Sequence, residues 1–213
     1  MPAGSPDNAA EEMRMAREAL SAREIPWGRR LLMLALNFLP LAHAALITVV
    51  LLGSSPDWRF RVANALGVLY LLPPLTARLV LRFVPIPQGR IAMGSRAFFA
   101  WWTTFQLQVI FCRLTFLEEM LRLVPGLYSL WLRLWGSRIG RLTYWSPGTT
   151  ITDRSFLRIG DDVVFGAGVR LNAHVLAKNK SGAMELILAE VKIGDGAVVG
   201  GYSLLTAGTE IAP

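Results

Sequence analysis

One cysteine, two histidines and few charges in a chain of 213 residues exclude much of protein chemistry before any motif is read. A lone Cys112 makes no disulfide framework and no cysteine-rich zinc site. His43 and His174 are too few for a three-histidine metal centre in one chain, so no metal is expected. Charged side chains make up 17% of the residues and apolar ones 53%. A soluble domain carries about 25% charged residues, so neither disorder nor an ordinary soluble surface fits this composition. Lysine is confined to Lys178, Lys180 and Lys192. No short apolar core followed by a small-residue cleavage site stands near the start, so no secretory signal peptide is expected.

The net charge of +7 suits either nucleic acid or an anionic membrane, and its distribution separates the two. Residues 1–138 carry the whole +7, while residues 139–213 balance to zero. No segment gathers basic residues with stacking aromatics, so nucleic acid is not an expected partner. The arginines flank long apolar runs instead, where they favour anionic headgroups.

Those runs organise the first two thirds of the chain. Residues 1–30 read as a polar N-terminal helix of mixed sign, and residues 31–138 as membrane-embedded and interfacial helices. Residues 31–53 hold no charged side chain. A helix of that length covers about 35 Å against a hydrocarbon core of about 30 Å. Pro40 is expected to bend it, and Asn37 and His43 require polar partners within the membrane. Residues 54–61 form a polar turn with Trp58 as an interfacial anchor. A second span over 62–84 contains Pro73-Pro74 and ends with Arg78 and Arg82 reaching toward headgroups. The arginines outside this helical hairpin place both chain ends in the cytoplasm. Residues 97–112 suit a re-entrant or interfacial helix with Trp101 and Trp102 at headgroup depth, a third span over 97–116 being the alternative. Residues 113–135, broken at Pro125-Gly126, read as two amphipathic pieces on the membrane surface.

After Trp135 the texture changes, and a period of six appears. Ile139-Gly, Trp145-Ser and Ile151-Thr form one set; Ile159-Gly, Phe165-Gly and Leu171-Asn a second; Ile193-Gly, Val199-Gly and Leu205-Thr a third; Ile211-Ala opens a fourth. Three short strands per turn of such a repeat make a triangular coil with the leading apolar residues inward, and stacked coils bury a continuous column. The phase breaks at Leu157-Arg158 and, more widely, over residues 177–192, expected to be a loop. The last set is incomplete at Pro213, so its open end is expected to be covered by a partner or by further chain.

Ile159-Gly-Asp-Asp-Val-Val-Phe-Gly and Ile193-Gly-Asp-Gly-Ala-Val-Val-Gly are near copies. They closely resemble the hexapeptide repeats of the left-handed β-helix acyltransferases. Membrane helices followed by this repeat are similar to the membrane-associated members of that superfamily. The resemblance covers residues 139–213 and implies a left-handed parallel β-helix of about three coils, giving a mixed fold overall. It implies an acyl-CoA donor or an acyl group on a phosphopantetheine-bearing carrier protein. It also implies a homotrimer with sites between neighbours, on the cytoplasmic face of the membrane.

In that family the acceptor site forms where a loop leaves the coil beside a histidine. His174 is then the general base, since an imidazole titrates near neutrality and removes the proton of an attacking hydroxyl or amine. It stands fourth in its hexad, where the soluble enzymes place theirs last, which puts the acceptor geometry in question. Asp153 matches the family's aspartate by its interval before Ile159-Gly-Asp; it binds the acceptor, orients the imidazole or stabilises a turn. Asn172 bonds the acceptor or caps a corner, and Glu185 is a candidate to orient His174. The resemblance places the pantetheine arm along Gly200, Gly201, Ser203, Ala207 and Gly208, whose small side chains also suit simple corners. Lys178 and Lys180 meet its phosphates or form a solvated loop face. The competing class is a non-catalytic oligomeric membrane scaffold. A β-helical carbonic anhydrase is excluded by the histidine count.

Overall fold

Proline decides how the apolar runs fold. In a computed structural model describing residues 25–180 and 182–213, the first run forms two helices in line, α1 (Trp27–Leu36) and α2 (Leu39–Gly53). Pro40 has no N–H for the carbonyl four residues earlier, so the ladder breaks at Asn37-Phe38 and restarts with the proline in the first turn of α2. The second run divides likewise at Pro73-Pro74 into α3 (Trp58–Tyr70) and α4 (Leu72–Phe83). Each pair, Trp27–Gly53 and Trp58–Phe83, is long and apolar enough to cross a membrane. The polar helix expected over 1–30 lies outside the described residues as far as residue 24. Trp27 to Arg30 belong to α1 instead.

Several polar groups inside these helices find partners within the protein. The Tyr70 carbonyl, deprived of its helical donor by Pro74, accepts from the Trp131 indole at 2.8 Å. His43 Nε2 donates to the Val68 carbonyl at 2.9 Å. Asn37 Oδ1 accepts from Gln106 Nε2 at 2.9 Å and Trp102 Nε1 at 3.2 Å.

Helix α5 (Arg96–Arg113) covers the segment expected to be re-entrant, interfacial or a third span. Ser95 caps it, accepting from the Phe98 N–H at 3.1 Å. Its buried face, Phe98, Trp101, Thr104, Gln108 and Phe111, follows helical periodicity and packs against protein. Trp101 is 2% exposed, far from headgroup placement. Two helices among the described residues are long and apolar enough to span, and α5 is not one of them. Helices α6 (Phe116–Arg122) and α7 (Leu127–Leu134) follow, hinged at Gly126 in the left-handed region. They bury Glu118, Tyr128 and Trp131 while leaving the apolar Phe116, Met120, Leu123 and Leu130 outside.

Beyond Trp135 the chain visits three parallel sheets in turn. The first contains β2 (Arg138–Ile139), β5 (Leu157–Ile159), β10 (Val191–Ile193) and β13 (Glu210–Ile211). The second contains β3 (Tyr144–Trp145), β6 (Val164–Phe165) and β11 (Val198–Val199). The third contains β4 (Thr150–Ile151), β7 (Arg170–Leu171) and β12 (Leu204–Leu205). The hexad leaders pair in register: Ile139, Ile159, Ile193 and Ile211; Trp145, Phe165 and Val199; Ile151, Leu171 and Leu205. They form one core with Phe111, Trp131 and Trp135, so the apolar interior runs without a break from helices to sheets across residue 138.

The Ile-Gly-Asp pattern has a mechanical cause. A Cβ on Gly160 would lie 2.7 Å from the Asp195 backbone nitrogen, so the next pass of chain sits too close for any side chain. The aspartates tie the passes together: Asp161 Oδ1 accepts from the Arg141 N–H at 2.6 Å, and Asp195 Oδ1 from the Asp161 N–H at 2.8 Å.

Residues 177–192 are not a loop. The chain leaves the sheets at His174 as β8 (His174–Lys178) and returns as β9 (Met184–Leu188), an antiparallel hairpin. Strand β1 (Gly89–Ala92), just before α5, pairs antiparallel with β9 from Gly89↔Leu188 to Ala92↔Glu185. The excursion is thereby stapled to the helical half.

Phe165 is fully buried and stacks on Trp145 at 4.5 Å, whereas Val198 in the second sheet is 74% exposed. Phe165→Ala is expected to cost about 3–5 kcal/mol and Val198→Ala less than about 0.5 kcal/mol. Thermal unfolding of the detergent-solubilised protein compares them; equal losses would contradict the inward assignment.

Candidate functional site

Two departures from the third sheet create the site. Asp153 follows β4 and His174 opens β8, so one pass around the sheets separates them in sequence and brings them together in space. His174 Nδ1 lies 2.6 Å from Asp153 Oδ2. Asp153 is 2% exposed, and its other oxygen accepts from Trp101 Nε1 at 3.0 Å. Thr152 Oγ1 stands 3.1 Å from both Asp153 Oδ2 and Asn172 Oδ1, and its single proton serves one at a time. The carboxylate is thus satisfied by protein donors.

Helix α5 forms the roof. The His174 ring meets Trp101 at 4.9 Å and Phe105 at 5.5 Å, in edge-to-face contact with each. Trp101 and Phe105 are four residues apart and share a helix face. The two rings and Asp153 leave the imidazole one orientation. Nε2 makes no hydrogen bond among the described residues, and the side chain remains 18% exposed. With Nδ1–H donating to the carboxylate, the lone pair sits on Nε2, open to an incoming group.

The next residue secures the corner to the helices. Arg154, 1% exposed, pairs with Glu118 of α6, which is 3% exposed. Its backbone N–H and Nη1 both donate to Gln108 Oε1 of α5, at 2.8 and 3.1 Å. Glu118 also accepts from Tyr128 Oη at 2.9 Å and Arg122 Nη2 at 3.2 Å. Burial is the largest single influence and opposes the Arg154 charge, but Glu118, Cys112 and Tyr128 together outweigh it and hold the guanidinium above its ordinary pKa. Burial, reinforced by Glu118, pushes the Tyr128 hydroxyl well up.

The other residues expected at the site are dispersed. Asn172 stands behind Asp153, joined to it through Thr152. Glu185 does not touch His174; it lies on β9 opposite Ala92 and Ala177, bonding Asn179 at 2.8 Å and Arg90 at 3.1 Å. Asn179, then Arg90, hold its carboxyl below the usual range. Lys178 ends β8, about 13 Å along the strand from His174, and Lys180 is in the turn beyond; both are exposed. Gly200, Gly201 and Ser203 occupy the corner between the second and third sheets, against Ala167. Ala207 and Gly208 follow β12, with Gly208 beside Ala189 at the returning foot of the hairpin. The small residues therefore lie at two corners, and only the second adjoins the hairpin that His174 opens.

Trp101, Phe105 and Thr152 are the residues that sequence reasoning missed. The signal for Trp101 and Phe105 was the uncharged run before Cys112 with an aromatic every few residues, which lipid explains equally well; Thr152 carried none. A cavity of about 240 Å³ adjoins Thr152 and Asn172, lined also by Cys112, Glu118, Arg154 and Arg170. A larger cleft of about 540 Å³, between α7 and residues 140–145, contains neither histidine nor carboxylate. No group of three or more metal-ligating side chains occurs among the described residues. Comparison with protein-family models, curated proteins and solved structures finds no match.

Breaking the buried pair should be severe. Glu118→Gln and Arg154→Met are each expected to cost about 3–5 kcal/mol, because each strands a buried partner. The double variant Glu118→Gln/Arg154→Met should cost less than the two singles combined. Additive losses in a thermal-unfolding cycle would contradict direct coupling.

Proposed function

We propose that this chain is a membrane-bound acyltransferase in which His174 is the general base and Asp153 holds it. The observation that carries the reading is the His174–Asp153 contact at 2.6 Å with Nε2 left open beneath Trp101 and Phe105. Asp153 fixes the tautomer and stabilises the imidazolium that forms when Nε2 takes a proton. The acceptor hydroxyl or amine loses that proton as it attacks the carbonyl of a thioester. The carbon–sulfur bond breaks, and the proton returns from His174 to the departing thiolate. Acyl-CoA, or an acyl group on a phosphopantetheine arm, supplies the thioester.

The same reading takes the three parallel sheets as faces of a left-handed β-helix of about three coils, the hexad leaders lining its interior. Supporting it are the repeated visits to the sheets and the in-register pairing of every leader. A homotrimer follows from the resemblance, with the pantetheine arm of the donor drawn along the small residues Gly200, Gly201, Ser203, Ala207 and Gly208. Lys178 and Lys180, exposed on the hairpin, are offered to its phosphates across the subunit boundary. The two apolar helical pairs and the arginine distribution support a cytoplasmic position for the sheets. The acceptor is then a hydroxyl or amine compound held in or near the bilayer.

Free-thiol release from acetyl-CoA and longer acyl-CoAs, with membrane extract as acceptor, tests the assignment. His174→Ala is expected to lower turnover by about 10²–10⁴-fold. Asp153→Asn should lower kcat with little change in KM for the donor, and Glu185→Gln should leave both nearly unchanged. Equal turnover by wild type and His174→Ala would overturn the catalytic role and favour a scaffold.

A further inference from the structure

The far end of the second apolar helical pair holds a pocket whose polar groups point to one kind of ligand. A cavity of about 310 Å³ is lined by Arg78, Leu81, Arg82, Trp135, Gly136 and Ser155. Arg78 and Arg82 are four residues apart on α4, one helical turn, and share a face. Both are exposed, and neither makes an ion pair or a side-chain hydrogen bond among the described residues. Trp135 is fully buried, yet its indole Nε1 has no hydrogen-bond partner, and the buried hydroxyl of Ser155 has none either. An indole N–H only donates. Buried polar groups are almost always satisfied, so two orphans at one cavity require a partner.

The lining residues therefore carry two exposed guanidiniums and two buried, unpartnered groups, an indole N–H and a hydroxyl, with no carboxylate among them. The C-terminal ends of α4 and α7 oppose an anion here, but as screened partial charges against two full positive ones. Arg78 and Arg82 stand in the last two turns of a helix long enough to cross a membrane, which is headgroup depth. We infer that this pocket binds the phosphate of an anionic membrane lipid, with Arg78 and Arg82 supplying the charge and Trp135 Nε1 and Ser155 Oγ completing its hydrogen bonds. The inference rests on the membrane reading of the two apolar helical pairs and not on acyl transfer. Ser155 is two residues beyond Asp153, so the lipid binds against the corner that carries the histidine's partner.

The full chain in detergent, titrated with dioleoyl phosphatidylglycerol and followed by native mass spectrometry, tests this. One lipid per chain is expected to be retained in preference to dioleoyl phosphatidylcholine. Arg78→Gln/Arg82→Gln should weaken retention roughly 25-fold, about fivefold for each guanidinium lost. Arg78→Lys/Arg82→Lys should keep most of it. Ser155→Ala, which preserves both charges, should weaken it about fivefold, and Arg59→Gln at the opposite end of the helical pair should not. Unchanged retention in the double glutamine variant would overturn the site, as would equal retention of phosphatidylcholine. Competition by sodium phosphate at the same concentration as the lipid would overturn the assignment to a headgroup. The readout is lipid retention, so its failure leaves the catalytic reading standing, and the reverse also holds.

Discussion

The corner Thr152-Asp153-Arg154 holds the molecule together, and the buried Arg154–Glu118 pair is its fixed point. Two opposite charges almost without exposure belong to different halves of the chain, one after a parallel strand and the other in α6. Such a pair adds little net stability over a well-packed apolar substitute, but breaking it strands a charge. Its consequence is therefore geometric. It admits one docking of the sheets on the helices, and Gln108 enforces the same docking by accepting from both the backbone and the side chain of Arg154.

That docking produces the candidate site. Asp153 precedes Arg154 and so faces α5 at a defined height, where Trp101 donates to one oxygen and His174 to the other. The hairpin that begins at His174 is held at its second strand by β1, a segment just before α5. The imidazole is thus placed by helix, sheet and hairpin together. A histidine on a free loop would spend much of its time elsewhere; here Trp101 and Phe105 leave the ring a single setting.

Much of the sheet region was legible in the sequence because a period of six repeats locally, and each leader needs only its counterpart one pass away. Within each set the leaders fall six residues apart, and Ile139, Ile159 and Ile193 align once the two phase breaks are allowed for. The interval from Asp153 to Ile159-Gly-Asp and the place of His174 before a phase break were legible by resemblance. Trp101 was not, because its partner lies 52 residues away and depends on how a helix docks. An uncharged run with tryptophans suits lipid and a protein interior equally, and composition does not separate them. The hairpin was hidden for a similar reason. Val175 and Leu176 are adjacent rather than alternating, Leu186 and Leu188 alternate over too short a stretch to stand out, and the staple, Gly89–Ala92, is four residues long. Glu185 was misplaced because a carboxylate near a histidine in sequence falls on the opposite strand once the hairpin closes.

The most direct test of the account concerns the proton on His174. With two histidines in the chain, ¹⁵N-histidine labelling gives a spectrum that His43→Gln assigns by subtraction. In its neutral form His174 is expected to carry its proton on Nδ1, and Asp153→Asn is expected to abolish that preference. A wild-type His174 protonated on Nε2, or a tautomer indifferent to Asp153→Asn, would contradict the claim that this carboxylate sets the base.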